Sequence, residues 1–368
     1  MNRILHLSLD DKFIDIALPY FNRISHCNDL VVLADQQVRY VKSKAVIVND
    51  VQKIIEQIDI NKYGLIIIHA LDPVWYQFVL NLPKTCCIVW LGWGYDYYSL
   101  LNNTFLLKKT RCVEFSLKES IKKAIFTFKR YSCRKLLCEV IERIDYFSPV
   151  LDIEYNLVKN AVNTQNFPKY IPFTYGSLET DFGKDFLNSY VTGNNILVGN
   201  SATATNNHIE VFDLLKQYTL KNNQKIFCPL SYGDTKYKKS IEKLGYSILG
   251  EKFQPIVQFL PITEYIEIIG SCSIVIMNHV RQQALGNILS MLYLGATVYL
   301  REENPIYMFL IKNNIKVFSI KLLEEHSTQL EYQLSRDDVE HNRKILQQLY
   351  SYEATLHKSK DIVSLLAS

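Results

Sequence analysis

Short apolar runs alternate with longer amphipathic stretches along the whole chain. In the first half the apolar runs are Arg3–Leu9, Leu30–Ala34, Ala45–Val48, Leu65–His69, Cys87–Leu91 and Tyr146–Ser148. In the second half they are Ile196–Gly199, Ile226–Pro229, Ile256–Leu260, Ile274–Met277, Thr297–Leu300 and Lys316–Ser319. Most are β-branched and end in polar or Gly/Pro turns, as strands buried on both faces of a parallel sheet do. Helical periodicity fills the segments between them, so the pattern predicts an α/β protein with two parallel sheets. Pro168, Pro172, Gly176, Gly183 and Gly193 cluster between Tyr170 and Asn195, where helical periodicity fades. The chain is therefore read as a first domain over 1–175, a second over 190–335 and a helical tail over 336–368.

Composition excludes more than it selects. A chain of 368 residues with 48% apolar content can bury two cores. Lys and Arg number 41 against 37 Asp and Glu, a net +4 that is too mild for a chain dedicated to nucleic acid. The eight cysteines form no CxxC pair and no regular framework, which suits a reduced, cytosolic protein. The first ten residues read as a strand rather than a signal segment. Apolar runs nowhere reach the roughly 18 residues of a membrane span, so any membrane contact is expected to be peripheral. Two Rossmann-like domains facing a central cleft serve sugar-nucleotide transferases, periplasmic binders and some epimerases alike, so the fold class does not decide the function.

Candidate chemistry concentrates where strands end. Ile196–Gly199 runs into a segment from Asn200 and Ser201 to His208 in which seven of nine residues are polar, ahead of a predicted helix. Free N–H groups and the dipole at a helix start favour phosphate there; the alternative reading is that Asn206 or Asn207 simply caps the helix. Ser273–Met277 leads to Asn278, His279, Val280, Arg281, Gln282 and Gln283, then to a helical stretch closed by Gly295. Arg281 heads the inward stripe of that helix, and either a diphosphate or a carboxylate would pair its planar fork. Gly286 permits close backbone approach. Past Thr297–Leu300 come Arg301, Glu302, Glu303, Asn304 and Pro305, readable as a sugar-binding carboxylate or as a plain helix start.

In the first half, Trp90 to Tyr98 interleaves five aromatic residues with Gly92, Gly94 and Asp96, a composition suited to gripping a sugar. Asp11 follows the first strand and His69 ends another, so Asp11, His69 and Asp96 are predicted on one sheet edge as candidate bases. Between Lys108 and Arg143 lie 11 Lys/Arg against four Glu. Leu117, Ile121, Ile125 and Phe128 form a stripe there, flanked by Lys118, Lys122, Lys123, Lys129 and Arg130. An interfacial helix on anionic lipid and a solvated surface helix both fit that pattern.

These residues resemble the TDP-N-acetylfucosamine:lipid II N-acetylfucosaminyltransferases, glycosyltransferase family 56. The likeness runs through Leu197-Val198-Gly199-Asn200-Ser201 with His208, Pro229-Leu230-Ser231-Tyr232, Arg281-Gln282-Gln283 with Gly286, and Arg301 with Glu303-Asn304-Pro305. In the first half Trp93-Gly94, Asp96 and Tyr98 match, with His69 and Asp11 more loosely. Ala284 and Ala202 stand where the family usually has Gly, and Tyr95 where it has a small residue. The resemblance implies a GT-B fold, a TDP-sugar donor, no essential metal, and a polyprenyl-diphosphate-linked saccharide acceptor at the cytoplasmic face of the bacterial inner membrane. It also implies donor-binding roles for Asn200, Ser201, His208, Tyr232, Arg281, Gln282, Gln283, Gly286, Asn287, Glu303 and Asn304. Trp93, Gly94 and Tyr98 would hold the acceptor, and the base would be Asp11, with Asp96 binding acceptor and His69 as a second candidate base. Two other readings stay open: a GT-B transferase using a different nucleotide sugar for capsule or O-antigen, and a non-catalytic nucleotide-sugar-binding scaffold.

Overall fold

The computed structural model describes residues 3–35, 37–101, 104–114, 134–162, 164–182, 189–326 and 330–367. Described residues of Met1–Asn102, Lys123–Ser177 and Tyr350–Ser368 form one compact unit, and those of Asn103–Lys122 and Leu178–Leu349 form another. Among them no helix is long and apolar enough to cross a membrane.

The first unit is built on strands β1 (Arg3–Leu9), β2 (Asn28–Leu33), β3 (Val46–Val48), β4 (Tyr63–His69), β5 (Cys87–Leu91), β6 (Tyr146–Ser148) and β7 (Lys169–Tyr170). All pairings are parallel, in the order β3-β2-β1-β4-β5-β6-β7. The chain winds one way from β1 and the other way from β4, so their carboxyl ends flank a topological switch point, where α/β sheets bind ligands. Helix Phe13–Ile24 spaces Ile14, Ala17, Leu18 and Phe21 along one buried face. Ala17 and Phe21 meet Ile4, Leu65, Ile67, Val89 and Leu91 of the sheet and Ile362 of the C-terminal helix Tyr352–Ser364. Ile362 is fully buried and contributes about 2 kcal/mol of apolar transfer.

The second unit holds β8 (Asn195–Val198), β9 (Ile226–Pro229), β10 (Phe253–Ile256), β11 (Cys272–Met277), β12 (Thr297–Leu300) and β13 (Phe318–Ser319). They are again all parallel, in the order β10-β9-β8-β11-β12-β13, with the switch point at β8 and β11. One predicted strand is displaced: the run expected over Ile256–Leu260 is strand only over Phe253–Ile256. The order makes β10 an edge strand, which tolerates Pro255 without its N–H. Phe253 is the buried anchor, lying over Gly245, where a Cβ would come within 2.3 Å of its ring. Phe259, by contrast, is 79% exposed.

Two segments fall outside the continuous domains expected from the sequence. Helix Lys108–Glu114 belongs to the second unit, where Thr110 Oγ1 donates to Glu210 Oε2 at 2.6 Å and Lys109 Nζ pairs with Asp213 at 2.6 Å. The tail divides. Helix Arg336–Tyr350 sets the Arg343 guanidinium 3.8 Å over the Tyr190 ring of the second unit. Helix Tyr352–Ser364, capped by Ser351 Oγ on the Ala354 N–H, packs in the first. The basic stripe with Lys122, Lys123, Lys129 and Arg130 lies outside the described residues.

Candidate active site

At the switch point of the first sheet, Asp11 follows β1. Its Oδ1 accepts the Phe13 N–H at 3.0 Å, while Oδ2 takes no hydrogen bond among the described residues. Burial raises its carboxyl pKa above the ordinary value, against the lowering pull of the Phe13 amide and Lys12. Beside it stands a group of tilted rings, with centroids 5.3 Å apart for Phe13 and Trp93, 6.3 Å for Trp93 and Tyr95, and 6.0 Å for Trp93 and Tyr175. Phe13 is 37% and Tyr95 47% exposed, so apolar ring surface is open beside a carboxylate. Gly94, at φ 98°, supplies the left-handed step that starts helix Tyr95–Tyr98.

The other two candidate bases are already engaged. Asp96 is 8% exposed and accepts three hydrogen bonds, from Leu71 N (3.0 Å), Trp90 Nε1 (2.7 Å) and Trp93 N (3.0 Å). It ties the turn after β4 to β5 and to the Trp93 loop, so it organises the edge rather than reaching a substrate. His69 is fully buried, and both ring nitrogens are occupied. Nε2 lies 3.0 Å from His6 Nδ1, and Nδ1 lies 2.7 Å from Tyr175 OH. Burial, then the neighbouring His6, keeps His69 neutral. Hydrogen-bond polarity follows from the far end of this chain. Asn28 Nδ2 donates to Ser25 O and Asn22 Oδ1, so Asn28 Oδ1 accepts the His6 Nε2–H at 3.2 Å. His6 Nδ1 then accepts from His69 Nε2–H, and His69 Nδ1 accepts the Tyr175 hydroxyl proton. His69 thus positions Tyr175. Tyr98, expected at the acceptor, is also turned inward, donating to Glu154 Oε1 at 2.5 Å.

At the switch point of the second sheet, β8 runs out into Gly199 at φ 66°. A Cβ there would lie 2.6 Å from His208 Nε2 and 2.7 Å from Asn206 Oδ1, so only glycine fits. Asn206, unremarked in the sequence except as a cap, is the hub of the loop. Its Oδ1 accepts the Asn200 N–H at 2.9 Å and faces His279 Nε2 at 2.8 Å, while its Nδ2 donates to the Ser201 and Thr203 carbonyls. Gln283 joins this loop to the one after β11, donating to Asn200 Oδ1 (2.9 Å) and accepting from Thr205 Oγ1 (2.6 Å). Asn200 also donates to Tyr232 OH at 2.7 Å, and Tyr232 remains 49% exposed.

Arg281 is half-buried just before helix Leu285–Leu294, with Nη1 donating to Gln282 O at 3.2 Å. Among the described residues no side chain caps that helix, and its N-cap Ala284 enters it at φ 61°, the left-handed conformation glycine adopts without strain. Gly286 faces Phe182, 3.3 Å from where a Cβ would stand, and Asn287 Nδ2 donates to Tyr265 OH at 3.4 Å. Three expected donor residues are placed differently. His208 is fully buried against Tyr237 OH (3.1 Å), and burial drops its pKa to about 3. Asn304 is the buried cap of helix Pro305–Lys312, accepting the Ile306 N–H at 2.8 Å. Glu303 turns to Arg301 at 3.6 Å, and Arg301 in turn donates to Asn278 Oδ1 at 2.8 Å. Ser201 is buried within its loop and Gln282 is 7% exposed.

Residues 128–354, more than half of the chain, match the family described as 4-alpha-L-fucosyltransferase glycosyl transferase group 56. The chain belongs to this family. As a glycosyltransferase it shares its fold with several solved structures. Anabaena HepE in complex with UDP aligns at TM-score 0.65 and 13% identity over 99% of each chain. Sucrose-phosphate synthase from Thermosynechococcus elongatus aligns at 0.64 and 10% over 100% of each. A glycosyltransferase from Rickettsia africae aligns at 0.63 and 13%, again over 100% of each. At such identities the likeness is one of fold, the two parallel-sheet α/β domains of GT-B enzymes.

In this glycosyltransferase one buried carboxyl had no signal in the sequence. Glu154 is 1% exposed and is clasped by Tyr97 OH (2.9 Å), Tyr98 OH (2.5 Å) and Leu151 N (2.9 Å). Burial raises its pKa to about 7 from 4.5, despite those three donors. The folded state therefore holds a proton that the unfolded chain releases above about 4.5. Glu154 stabilises the fold fully below that pH, and the contribution is lost as pH rises toward about 7. The loss is on the order of 3 kcal/mol. Glu154→Gln is expected to flatten the melting temperature over this window, and an unaltered pH profile would refute the assignment.

Proposed function

We propose that this glycosyltransferase moves 4-acetamido-4,6-dideoxygalactose from a TDP carrier to a saccharide linked to polyprenyl diphosphate. The observation that carries the donor half is the uncapped start of helix Leu285–Leu294, led by Arg281, at the switch point of the second sheet. Open first-turn N–H groups and a guanidinium suit a diphosphate. As the anomeric bond breaks, the departing nucleoside diphosphate gains charge, and the same groups stabilise it. Gln283, Asn200 and Tyr232 would face the rest of the donor. In the first unit Asp11 is the base, with Trp93 and Tyr95 as apolar ground for a sugar ring. A lipid-linked acceptor places the enzyme peripherally on the inner membrane face, with Lys122, Lys123, Lys129 and Arg130 as candidates for contact with anionic lipid. UDP is the rival nucleotide, since UDP accompanies HepE in its solved complex.

Thermal shift measurements with TDP, UDP and GDP separate these donors. TDP is expected to raise the melting temperature most, in the absence of divalent metal. Equal shifts with all three, or a shift that requires Mg²⁺, would reject the TDP reading.

A further inference from the structure

The loop between β2 and β3 is held by an arrangement that the donor and base assignments leave unused. Asp10 accepts three consecutive backbone N–H groups, from Arg39 (2.7 Å), Tyr40 (3.0 Å) and Val41 (3.1 Å). Asp15, in the first turn of helix Phe13–Ile24, accepts the next two, from Lys42 (2.7 Å) and Ser43 (3.0 Å). Burial pushes the Asp10 carboxyl pKa up, but the three amides, helped by the charge of Arg39, outweigh it and leave it below the ordinary value. Two carboxylates thus pin five successive amides.

The pinning sorts the side chains. Val38, Val41 and Ala45 pack against Ile14, Leu18, Leu30 and Val32. Arg39, Tyr40, Lys42 and Lys44 point to solvent, with Tyr40 56% exposed. Lys12 is exposed one residue beyond Asp11. No salt bridge engages Arg39, Lys42, Lys44 or Lys12 among the described residues. The loop itself carries Arg39, Lys42 and Lys44 against one acid, Asp35, while Asp10 and Asp15 spend their oxygens on amides and Asp10 also feels the charge of Arg39.

From this we infer that Arg39, Lys42 and Lys44 bind the diphosphate of the acceptor while Asp11, adjacent in sequence to Asp10, meets its hydroxyl. The inference rests on the proposed lipid-linked acceptor and adds the place of its charge. A rigid loop loses little entropy when its cations grip a dianionic group, so preorganisation by Asp10 and Asp15 favours binding. A diphosphate at this edge would also disfavour ionisation of Asp11 and so strengthen it as a base.

The test uses farnesyl diphosphate, with the donor site kept saturated by TDP so that only a second diphosphate site reports. Isothermal titration calorimetry is expected to show binding to the full chain, weakened about tenfold or more in the Arg39→Gln/Lys42→Gln/Lys44→Gln variant. With acceptors, the ratio of kcat/KM for a prenyl-diphosphate-linked saccharide over its neutral octyl glycoside should fall by a similar factor. Equal farnesyl diphosphate affinity in both proteins would overturn the inference. So would a variant that loses only co-sedimentation with phosphatidylglycerol vesicles, which would mark the loop as a headgroup contact. Absence of transfer from any TDP-sugar, with the calorimetric difference intact, would refute the proposed reaction and leave the diphosphate site standing.

Discussion

Asp11→Asn is expected to lower kcat by about two to four orders of magnitude, the range a positioned general base supplies, with donor affinity retained. The expectation follows from elimination by contact. His69 has neither a free nitrogen nor solvent access, and Asp96 has three donors on its two oxygens. Asp11 keeps Oδ2 open at the carboxyl end of β1, and burial makes it more basic. Asn preserves the acceptor oxygen that receives the Phe13 N–H, so the helix start survives and a fall in rate reports on proton transfer. The competing carboxylate is Asp72, after β4, whose Oδ1 receives the Val74 N–H at 3.1 Å and which, after burial and Asp96, adds with Asp11 to the raised pKa of Tyr95. Steady-state kinetics of both Asn variants decide between them. If Asp72→Asn loses turnover and Asp11→Asn keeps it, the base belongs to the end of β4.

The sheets were legible because β-branched runs bounded by turns admit little else, and eleven of the twelve predicted strands sit where the runs lie. The twelfth slipped because only Ile256 of that run is buried: the edge strand is anchored at its two ends by Phe253 and Ile256, and the chain beyond it leaves the sheet with Phe259 exposed. Strand β7 was invisible, since two exposed residues, Lys169 and Tyr170, carry no period. Site residues were legible as positions and not as roles. Periodicity places Asp11, His69 and Asp96 at one edge of one sheet. It does not reveal which oxygens and nitrogens the neighbours claim. Asp96 takes donors from Leu71, 25 residues earlier, and Glu154 takes Tyr97, 57 residues earlier. Such contacts are products of tertiary folding and leave no local pattern. The Gly199 turn was equally silent: the run Ile196–Gly199 reads as plain strand, and the His208 and Asn206 atoms that exclude a side chain there are brought in by the fold of the loop.

Removal of the Arg281 guanidinium should cost about 2–4 kcal/mol of transition-state stabilisation, or roughly 30- to 1,000-fold in kcat/KM, as for a charge-assisted group at a developing charge. Most of it should fall on the donor: TDP should stabilise Arg281→Ala less than the parent. The fold should persist, because the second unit's core is formed elsewhere, by Ile196, Val198, Phe212, Ile226, Phe253, Ile274 and Ile276. Arg281→Lys separates charge from geometry. Lysine keeps the positive charge but not the planar fork, so partial recovery would point to simple electrostatic attraction. No recovery would point to bidentate recognition of the diphosphate. The unperturbed helix start makes the comparison clean, since Ala284 and the uncapped amides of Leu285–Leu294 remain in every variant. Kinetics equal to the parent in both variants would assign Arg281 to the packing of its loop and leave the helix amides as the anion site.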